Sequence, residues 1–254
     1  MLLAIDVGNS NIVGGVFDGE RLVADFRLHT EALATGDELG LVVAGLLGLR
    51  NIERGTVDAV VVSNVVPTLS RSIDDLCHQY FAVAPMHVGP GMRTGMRIVV
   101  EDPRQVGADR IVNAIAAFNA YGGPAVIVDL GTATTFDAIS DRGDYLGGAI
   151  APGMIISLNA LVARAAKLNR VDLVAPPSVI GRTTNLGVQS GMVYGYVGLV
   201  EGIVGRMKAE LGGRATVIAT GGLAELIAAN TTCIDTVDQR LTLDGLRLFY
   251  GLNQ

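Results

Sequence analysis

Residues 2–28 read LLAIDVGNSNIVGGVFDGERLVADFRL, a pattern that predicts three consecutive strands. A short apolar run ends at Asp6, strand-like residues resume at Ile12, and Asp18-Gly19 is a hairpin turn signal before a third, alternating strand. A dinucleotide-binding fold would place a helix directly after its first strand. The opening therefore favours a different α/β fold, in which the first turn joins two strands.

The same plan recurs in the second half of the chain, where an apolar run at residues 125–129 is followed by two further strand-like segments. In both halves the first turn reads Asp-x-Gly followed by hydroxyl or amide residues. The two copies are Asp6-Val7-Gly8-Asn9-Ser10-Asn11 and Asp129-Leu130-Gly131-Thr132-Ala133-Thr134. Repetition of a whole supersecondary unit is a stronger signal than either motif alone.

The repeat predicts an α/β protein of two domains, residues 1–121 and 122–254, divided at the turn signal Gly122-Gly123-Pro124. A chain of 254 residues, 50% of them hydrophobic, is long enough for two small domains with separate cores. The formal net charge is −6, which argues against a general binder of phosphate backbones. We therefore expect no nucleic-acid partner.

Cysteine usage and hydropathy place the protein in the cytoplasm. Cys77 and Cys233 lie far apart without a CxxC partner, so we expect free thiols in a reducing compartment. The N-terminal apolar run is too short and uncharged for a signal peptide, and no unbroken apolar span of about 18 residues occurs. We expect a cytoplasmic protein that does not enter a membrane.

The two Asp-x-Gly turns have the chemistry of a phosphate site. A glycine in such a turn lets backbone N–H groups approach a ligand closely, and an aspartate at the strand end holds Mg²⁺, usually through water. No GxxxxGK[ST] motif occurs, and neither Lys167 nor Lys208 has the surroundings of a protein kinase lysine. A single Asp-x-Gly is more often a plain β-turn, but two copies at equivalent places favour nucleotide binding.

A second constellation runs from Asp102 to Arg110, where Pro103 and Gly107 shape a loop that leads into a helix. Asp109 is either a helix cap or a general base, and Arg110 is either a surface ion-pair partner or a cation that orients an acidic substrate. From the residues alone both interpretations stay open. Two glycine-rich turns, Gly147 to Gly153 and Thr220-Gly221-Gly222, are weaker signals of a cleft, the latter with room for an adenine ring.

Together these motifs resemble the type III pantothenate kinases, and the match runs through nearly the whole chain. The matching segments, in the family's order, are Asp6 to Ser10, Gly107 to Arg110, Asp129 to Thr134, and Gly147 to Gly153. The resemblance implies two tandem RNase H-like domains of the actin-like (ASKHA) class, each a mixed five-stranded sheet with flanking helices. It also implies a homodimer with the substrate site at the subunit interface.

The resemblance further implies ATP-dependent phosphorylation of pantothenate, the first step of coenzyme A biosynthesis, with Asp109 as the catalytic base. ATP would be bound by Asp6, Val7, Gly8, Asn9, Ser10, Asn11, Ile12, Val13 and Thr132. Pantothenate would be bound by Val100, Gly107, Ala108, Asp109, Arg110 and Thr184. Asp129 would bind a monovalent cation, K⁺ or NH₄⁺, and Asp6 would hold the Mg²⁺ of ATP through water. Val100 stands where many members place a tyrosine, so the contact there should be apolar.

Two other functions are compatible with the same fold. One is a kinase of this superfamily that acts on a sugar or a small acid. The Gly-Ala-Asp-Arg segment and the short chain argue against this function. The other is a non-catalytic regulatory relative, which the complete set of expected catalytic positions makes the weaker interpretation.

Overall fold

The apolar run near the N terminus forms the central strand of a five-stranded sheet. In the computed structural model, which describes residues 1–165 and 167–254, this strand is β1 (Leu2–Val7). The other strands are β2 (Asn11–Asp18), β3 (Arg21–His29), β4 (Ala59–Asn64) and β5 (Met86–His87), in the order β3-β2-β1-β4-β5. The β1–β2 and β2–β3 pairs are antiparallel, whereas β1–β4 and β4–β5 are parallel. The sheet is therefore mixed, as predicted.

Alternation along β1 decides which side chains enter the core. Leu3, Ile5 and Val7 pack into one cluster with residues of α1 (Gly36–Gly48) and α2 (Ser70–Leu76). Because successive strand residues point to opposite faces, Asp6 lies on the other face of the sheet. α1 begins at a capping box, in which Thr35 and Glu38 each satisfy the other's backbone N–H.

The second sheet repeats this topology. Its strands are β6 (Ala125–Leu130), β7 (Ala133–Ile139), β8 (Tyr145–Pro152), β9 (Thr216–Thr220) and β10 (Thr236–Val237), in the order β10-β9-β6-β7-β8. In chain order α3 (Ala108–Tyr121) precedes this sheet, and helices α4 (Met154–Arg164), α5 (Thr184–Glu210) and α6 (Ala224–Ala228) belong to the second half of the chain. β6–β7 and β7–β8 are antiparallel, and β6–β9 and β9–β10 are parallel. The repeated plan expected from the sequence is thus confirmed at the level of strand order.

The last helix, α7 (Leu241–Leu252), packs against strands of the first sheet. The first compact unit accordingly comprises Met1–Gly95, Glu101–Ala116 and Leu241–Gln254, and the second comprises Met96–Val100 and Ala117–Arg240. These units differ from the two contiguous ranges expected from the sequence, because the chain returns to the first sheet at its end. Within the described residues, no helix is both long enough and apolar enough to cross a bilayer.

Candidate active site

The first Asp-x-Gly turn connects β1 to β2 and is closed by a backbone hydrogen bond. Gly8 N donates to Asn11 O at 3.0 Å, so the turn spans four residues. Thr30, directly after β3, braces it twice: Thr30 Oγ1 donates to Gly8 O at 2.6 Å, and Thr30 N donates to Ser10 O at 3.0 Å. The turn is therefore held in shape while Asn9 stays exposed.

The second turn, between β6 and β7, is one residue shorter. Gly131 N donates to Ala133 O at 3.0 Å, which closes a turn of three residues. Thr134 is consequently in register with Leu130 on the core face, where it is 0% exposed. The sequence repeat had matched Thr134 with Asn11, but the strand register matches it with Ile12.

A hydroxyl residue stands beside the strand-end aspartate in both units. In the first unit Asp6 is in parallel register with Ser63 of β4, and in the second Asp129 is in parallel register with Thr220 of β9. Asp129 has another neighbour of this kind, because Thr135 of β7 is its antiparallel partner. Residues in register on adjacent strands point to the same face of a sheet, so Asp129 has a hydroxyl residue on each side, whereas Asp6 has Ser63 on one side and Val13 on the other.

Glycines bring the backbone against the second turn. A Cβ atom at Gly131 would lie 3.3 Å from Asp129 Oδ1, and one at Gly221 would lie 2.6 Å from the same atom. Gly153, at the start of α4, is so close to the carbonyl oxygens of Gly131 and Thr132 that no side chain fits. The N terminus of α4 is thereby fixed beside the turn, an arrangement that suits anionic phosphate groups.

Asp109 lies in the first turn of α3, which begins one residue earlier at Ala108. Asp109 Oδ1 accepts a hydrogen bond from the Arg110 backbone N–H at 2.8 Å, and a Cβ atom at Gly107 would lie 2.5 Å from the same oxygen. Burial raises the pKa of Asp109 above its usual range, against the opposing effects of that hydrogen bond and of the Arg110 charge. A carboxyl group with a raised pKa next to an arginine has the chemistry of a general base.

Asp102, in the same loop, has the opposite environment. It accepts hydrogen bonds from Arg104 Nε at 2.9 Å and from the Arg104 backbone N–H at 3.2 Å. These bonds hold the pKa of Asp102 below its usual range. Asp102 therefore orders the short 3₁₀ turn Pro103–Gln105 and stays ionised, whereas Asp109 is the aspartate of this loop suited to proton transfer.

The remaining predicted substrate residues lie in the second unit. Thr184 is the first residue of α5 and is exposed, and Thr183 caps that helix by accepting a bond from Leu186 N at 3.2 Å. Val100 is half-buried, and a Cβ atom at Gly147 would lie 3.4 Å from Val100 Cγ1. Within each unit the structure thus groups the predicted residues near turns and helix starts. Val100, Thr132, Asp129 and Thr184 lie in one unit, and Asp6 to Val13 and Gly107 to Arg110 lie in the other.

Sequence reasoning missed two residues that support these segments. Thr30 braces the first turn. The sequence signal for this role was the position of Thr30 directly after the third strand. Asn113 is 1% exposed and accepts a hydrogen bond from Thr242 Oγ1 at 2.8 Å, which ties α3 to the start of α7. In the sequence, Asn113 is a polar residue within an apolar helical stretch, one turn after Asp109. This pattern indicates a buried amide, and a buried polar side chain needs a hydrogen-bond partner.

Two mixed five-stranded sheets of this order, each with an Asp-x-Gly turn after its first strand, define two tandem RNase H-like domains of the actin-like class. Solved structures share the fold. A Campylobacter jejuni protein described as a candidate Baf family transcriptional activator is 20% identical, with a TM-score of 0.62 over 98% of this chain and 97% of that chain. An inorganic polyphosphate/ATP-glucomannokinase from Arthrobacter sp. strain KM is 15% identical, with a TM-score of 0.51 over 100% and 99%.

Sequence comparison narrows this class to one family. The family model described as type III pantothenate kinase matches residues 2–206. A protein named type III pantothenate kinase from Moorella thermoacetica is 53% identical over 253 residues, covering 100% of both chains. The chain belongs to the type III pantothenate kinase family.

Proposed function

We propose that this protein transfers the γ-phosphoryl group of ATP to the primary hydroxyl of pantothenate, yielding 4′-phosphopantothenate and ADP. Full-length similarity to the family supports this activity. The observation that carries it is Asp109, a carboxyl group with a raised pKa at the start of a helix. Asp109 accepts the proton of the hydroxyl as its oxygen attacks phosphorus, and the bond to the ADP oxygen breaks.

The segments around Asp6 and Asp129 bind the nucleotide in this proposal. Asp6, Val7, Gly8, Asn9, Ser10, Asn11, Ile12 and Val13 form the phosphate segment, and Thr132 contacts ATP from the second unit. Among the described residues, no group of three or more His, Cys, Asp or Glu side chains is arranged to hold a metal ion. A lone carboxylate beside a turn fits Mg²⁺ that keeps several waters and is shared with phosphate oxygens. Mg²⁺ would neutralise charge on the transferring phosphoryl group.

Asp129 is the residue proposed to hold a monovalent cation. Its register partners Thr135 and Thr220 supply hydroxyl oxygens on the same face, and Gly221 brings backbone against its carboxylate. This donor set of one carboxylate with neutral oxygens suits a singly charged ion of the size of K⁺ or NH₄⁺. Neutralisation would offset the cost of keeping the Asp129 carboxylate half-buried and ionised.

Pantothenate is proposed to bind through Val100, Gly107, Ala108, Asp109, Arg110 and Thr184. Arg110 carries the positive charge that an acidic substrate requires, and Val100 supplies an apolar surface. Pantothenate combines a carboxylate with a dimethyl-substituted carbon next to its primary hydroxyl, so both contacts have a counterpart in the substrate. A sugar, by contrast, offers a ring of hydroxyl groups and no carboxylate.

A homodimer is proposed from exposed aliphatic side chains of the second unit, which we call its apolar face. Its side chains are 41–81% exposed and belong to β8, α4 and the loop before α5; they are Ile150, Ile155, Ile156, Leu161, Val179 and Ile180. Exposed aliphatic side chains in such number mark interaction sites in soluble proteins. Thr184 follows the last of them by four positions, so a second copy covering this face would also approach the proposed pantothenate site.

The proposed compartment is the cytoplasm. Cys77 and Cys233 are both free, and Cys77 is buried. Burial, together with the charge of Asp74, raises the pKa of the Cys77 thiol to about 12, so it remains protonated and unreactive. Two unpaired thiols suit a reducing compartment, in which the substrates ATP and pantothenate meet.

An ATP-consumption assay over a panel of acceptors tests the proposed function. The panel contains pantothenate, common hexoses, N-acetylated hexosamines and short hydroxy acids, each at equal concentration with Mg²⁺ and K⁺. ADP release that requires pantothenate supports the proposal. ADP release with a sugar or a short acid, and none with pantothenate, would replace it with the other kinase function.

A further inference from the structure

Ser63, at the end of β4, carries a buried hydroxyl beside the proposed phosphate site. Its side chain is 0% exposed, and among residues 1–165 and 167–254 nothing hydrogen-bonds its Oγ. A buried hydroxyl that has exchanged water for no partner costs folding free energy, and such groups in native proteins call for an explanation. Ser63 is therefore a residue whose chemistry the fold alone does not use.

The sheet geometry identifies the neighbour of this hydroxyl. β4 runs parallel to β1, and Ser63 is in register with Asp6. Adjacent strands lie about 4.8 Å apart, and residues in register point to the same face. Val60 and Val62 of β4 pack into the core, so Ser63 lies with Asp6 on the opposite face of the sheet.

The second unit has the same arrangement at the equivalent position. Thr220 ends β9, is 3% exposed, and is in register with Asp129 of β6. A hydroxyl beside the strand-end carboxylate therefore occurs in both repeats, although the surrounding turn sequences and lengths differ. This recurrence points to the carboxylate, rather than to local packing, as the reason for the hydroxyl.

We propose that Ser63 is a positioning residue of the phosphate site, whose hydroxyl donates a hydrogen bond to the Asp6 carboxylate in the complex with Mg²⁺ and ATP. The inference rests on the proposed nucleotide binding at this turn. An ionised carboxylate has about four acceptor positions, so one bond from Ser63 leaves others for the hydration shell of Mg²⁺. Donation from Ser63 would restrict the orientation of the Asp6 side chain and leave its other acceptor positions to the hydrated Mg²⁺.

Two variants test this role, with binding and stability as readouts. Ser63→Ala removes the hydroxyl, and Ser63→Thr keeps it in the form that the second unit uses. Calorimetry measures the Kd of ATP with Mg²⁺ and with EDTA, and a thermal melt measures the Tm of each variant.

Ser63→Ala should weaken binding of ATP with Mg²⁺ by about 10- to 100-fold, as the loss of a hydrogen bond to a charged group does, and change binding in EDTA much less. Ser63→Thr should bind within about threefold of the wild type. Binding by Ser63→Ala within twofold of the wild type, or equal losses with Mg²⁺ and EDTA, would overturn the inference. A wild-type chain that does not bind ATP with Mg²⁺ would instead overturn the proposed function, and this inference with it.

Discussion

Gly221 lies directly against Asp129, since a Cβ atom at Gly221 would come within 2.6 Å of Asp129 Oδ1. Gly221 also has a φ of +92°, a backbone conformation that side chains other than glycine rarely adopt. Gly221→Ala should therefore displace the carboxylate as well as strain the turn. We expect most of the turnover to be lost and the Tm to fall.

Gly212→Ala is the matched control for this prediction. Gly212 has a φ of +82°, but no atom lies within 4 Å of a Cβ atom placed there. The control should lower the Tm through backbone strain and leave turnover within a few fold. Equal turnover in Gly221→Ala and Gly212→Ala would show that the contact between Gly221 and Asp129 does not contribute to activity.

Asp109→Asn should reduce turnover by about 10²- to 10⁴-fold, the usual effect of losing a general base. Affinity for ATP should remain, because Asp109 lies outside the phosphate segment. In the wild type, kcat/KM should fall as the pH drops through the raised pKa of Asp109, since the base must be ionised. A variant with near wild-type turnover would remove Asp109 from the mechanism.

The same substitution has a stability signature with a defined sign. Because burial raises the pKa of Asp109, the folded state binds a proton more tightly than the unfolded state, and ionisation at neutral pH costs folding free energy. Asp109→Asn should melt at the same temperature as the wild type or higher at neutral pH, with the difference shrinking in acid. Asp102→Asn should do the opposite and lower the Tm at neutral pH, because the pKa of Asp102 is lowered in the folded state.

Activity should rise with K⁺ or NH₄⁺ and much less with Na⁺, because fixed oxygen ligands around Asp129 discriminate between ions by size. Asp129→Ala should remove this dependence together with most of the activity. Initial rates in buffers that differ only in the monovalent cation provide the measurement. Full activity in sodium buffer without K⁺ or NH₄⁺ contradicts the cation role.

We predict that a charged side chain on the apolar face disrupts both dimerisation and pantothenate binding. Ile180 is 81% exposed on that face, and Leu49 is 82% exposed on the first unit. Ile180→Glu should sediment as a folded monomer that binds pantothenate poorly, whereas Leu49→Glu should behave as the wild type. A wild-type monomer with full activity, measured by sedimentation at assay concentrations, contradicts the shared site.

Much of the fold was predictable because it depends on local signals. The apolar run before Asp6 and the Asp18-Gly19 hairpin each encode a boundary in a few adjacent residues, and both appear in the structure. The packing of α7 on the first sheet was not predictable, because the sequence of this helix does not indicate which of the two sheets it packs against. The contiguous halves expected from the repeat therefore missed this return of the chain.

The residues of the site were also predictable only in part. Its motif residues could be named from chemistry and resemblance, but their neighbours depend on strand register. Ser63 belongs to no motif, and Thr220 only to the weak Thr220-Gly221-Gly222 signal. Only parallel pairing with β1 and β6 places these two residues beside Asp6 and Asp129. The pKa of Asp109 likewise depends on burial by distant residues, which a motif does not encode.

Direct detection of the product tests the central claim most directly. The wild-type protein is incubated with pantothenate, ATP, Mg²⁺ and K⁺, and ³¹P NMR with mass spectrometry follows the phosphate monoester, with Asp109→Asn in parallel. The account predicts one equivalent of 4′-phosphopantothenate for each ADP formed by the wild type, and at most about a hundredth of that rate for the variant. Absence of the ester from a folded wild-type protein that binds ATP, or equal rates for the two proteins, would contradict it.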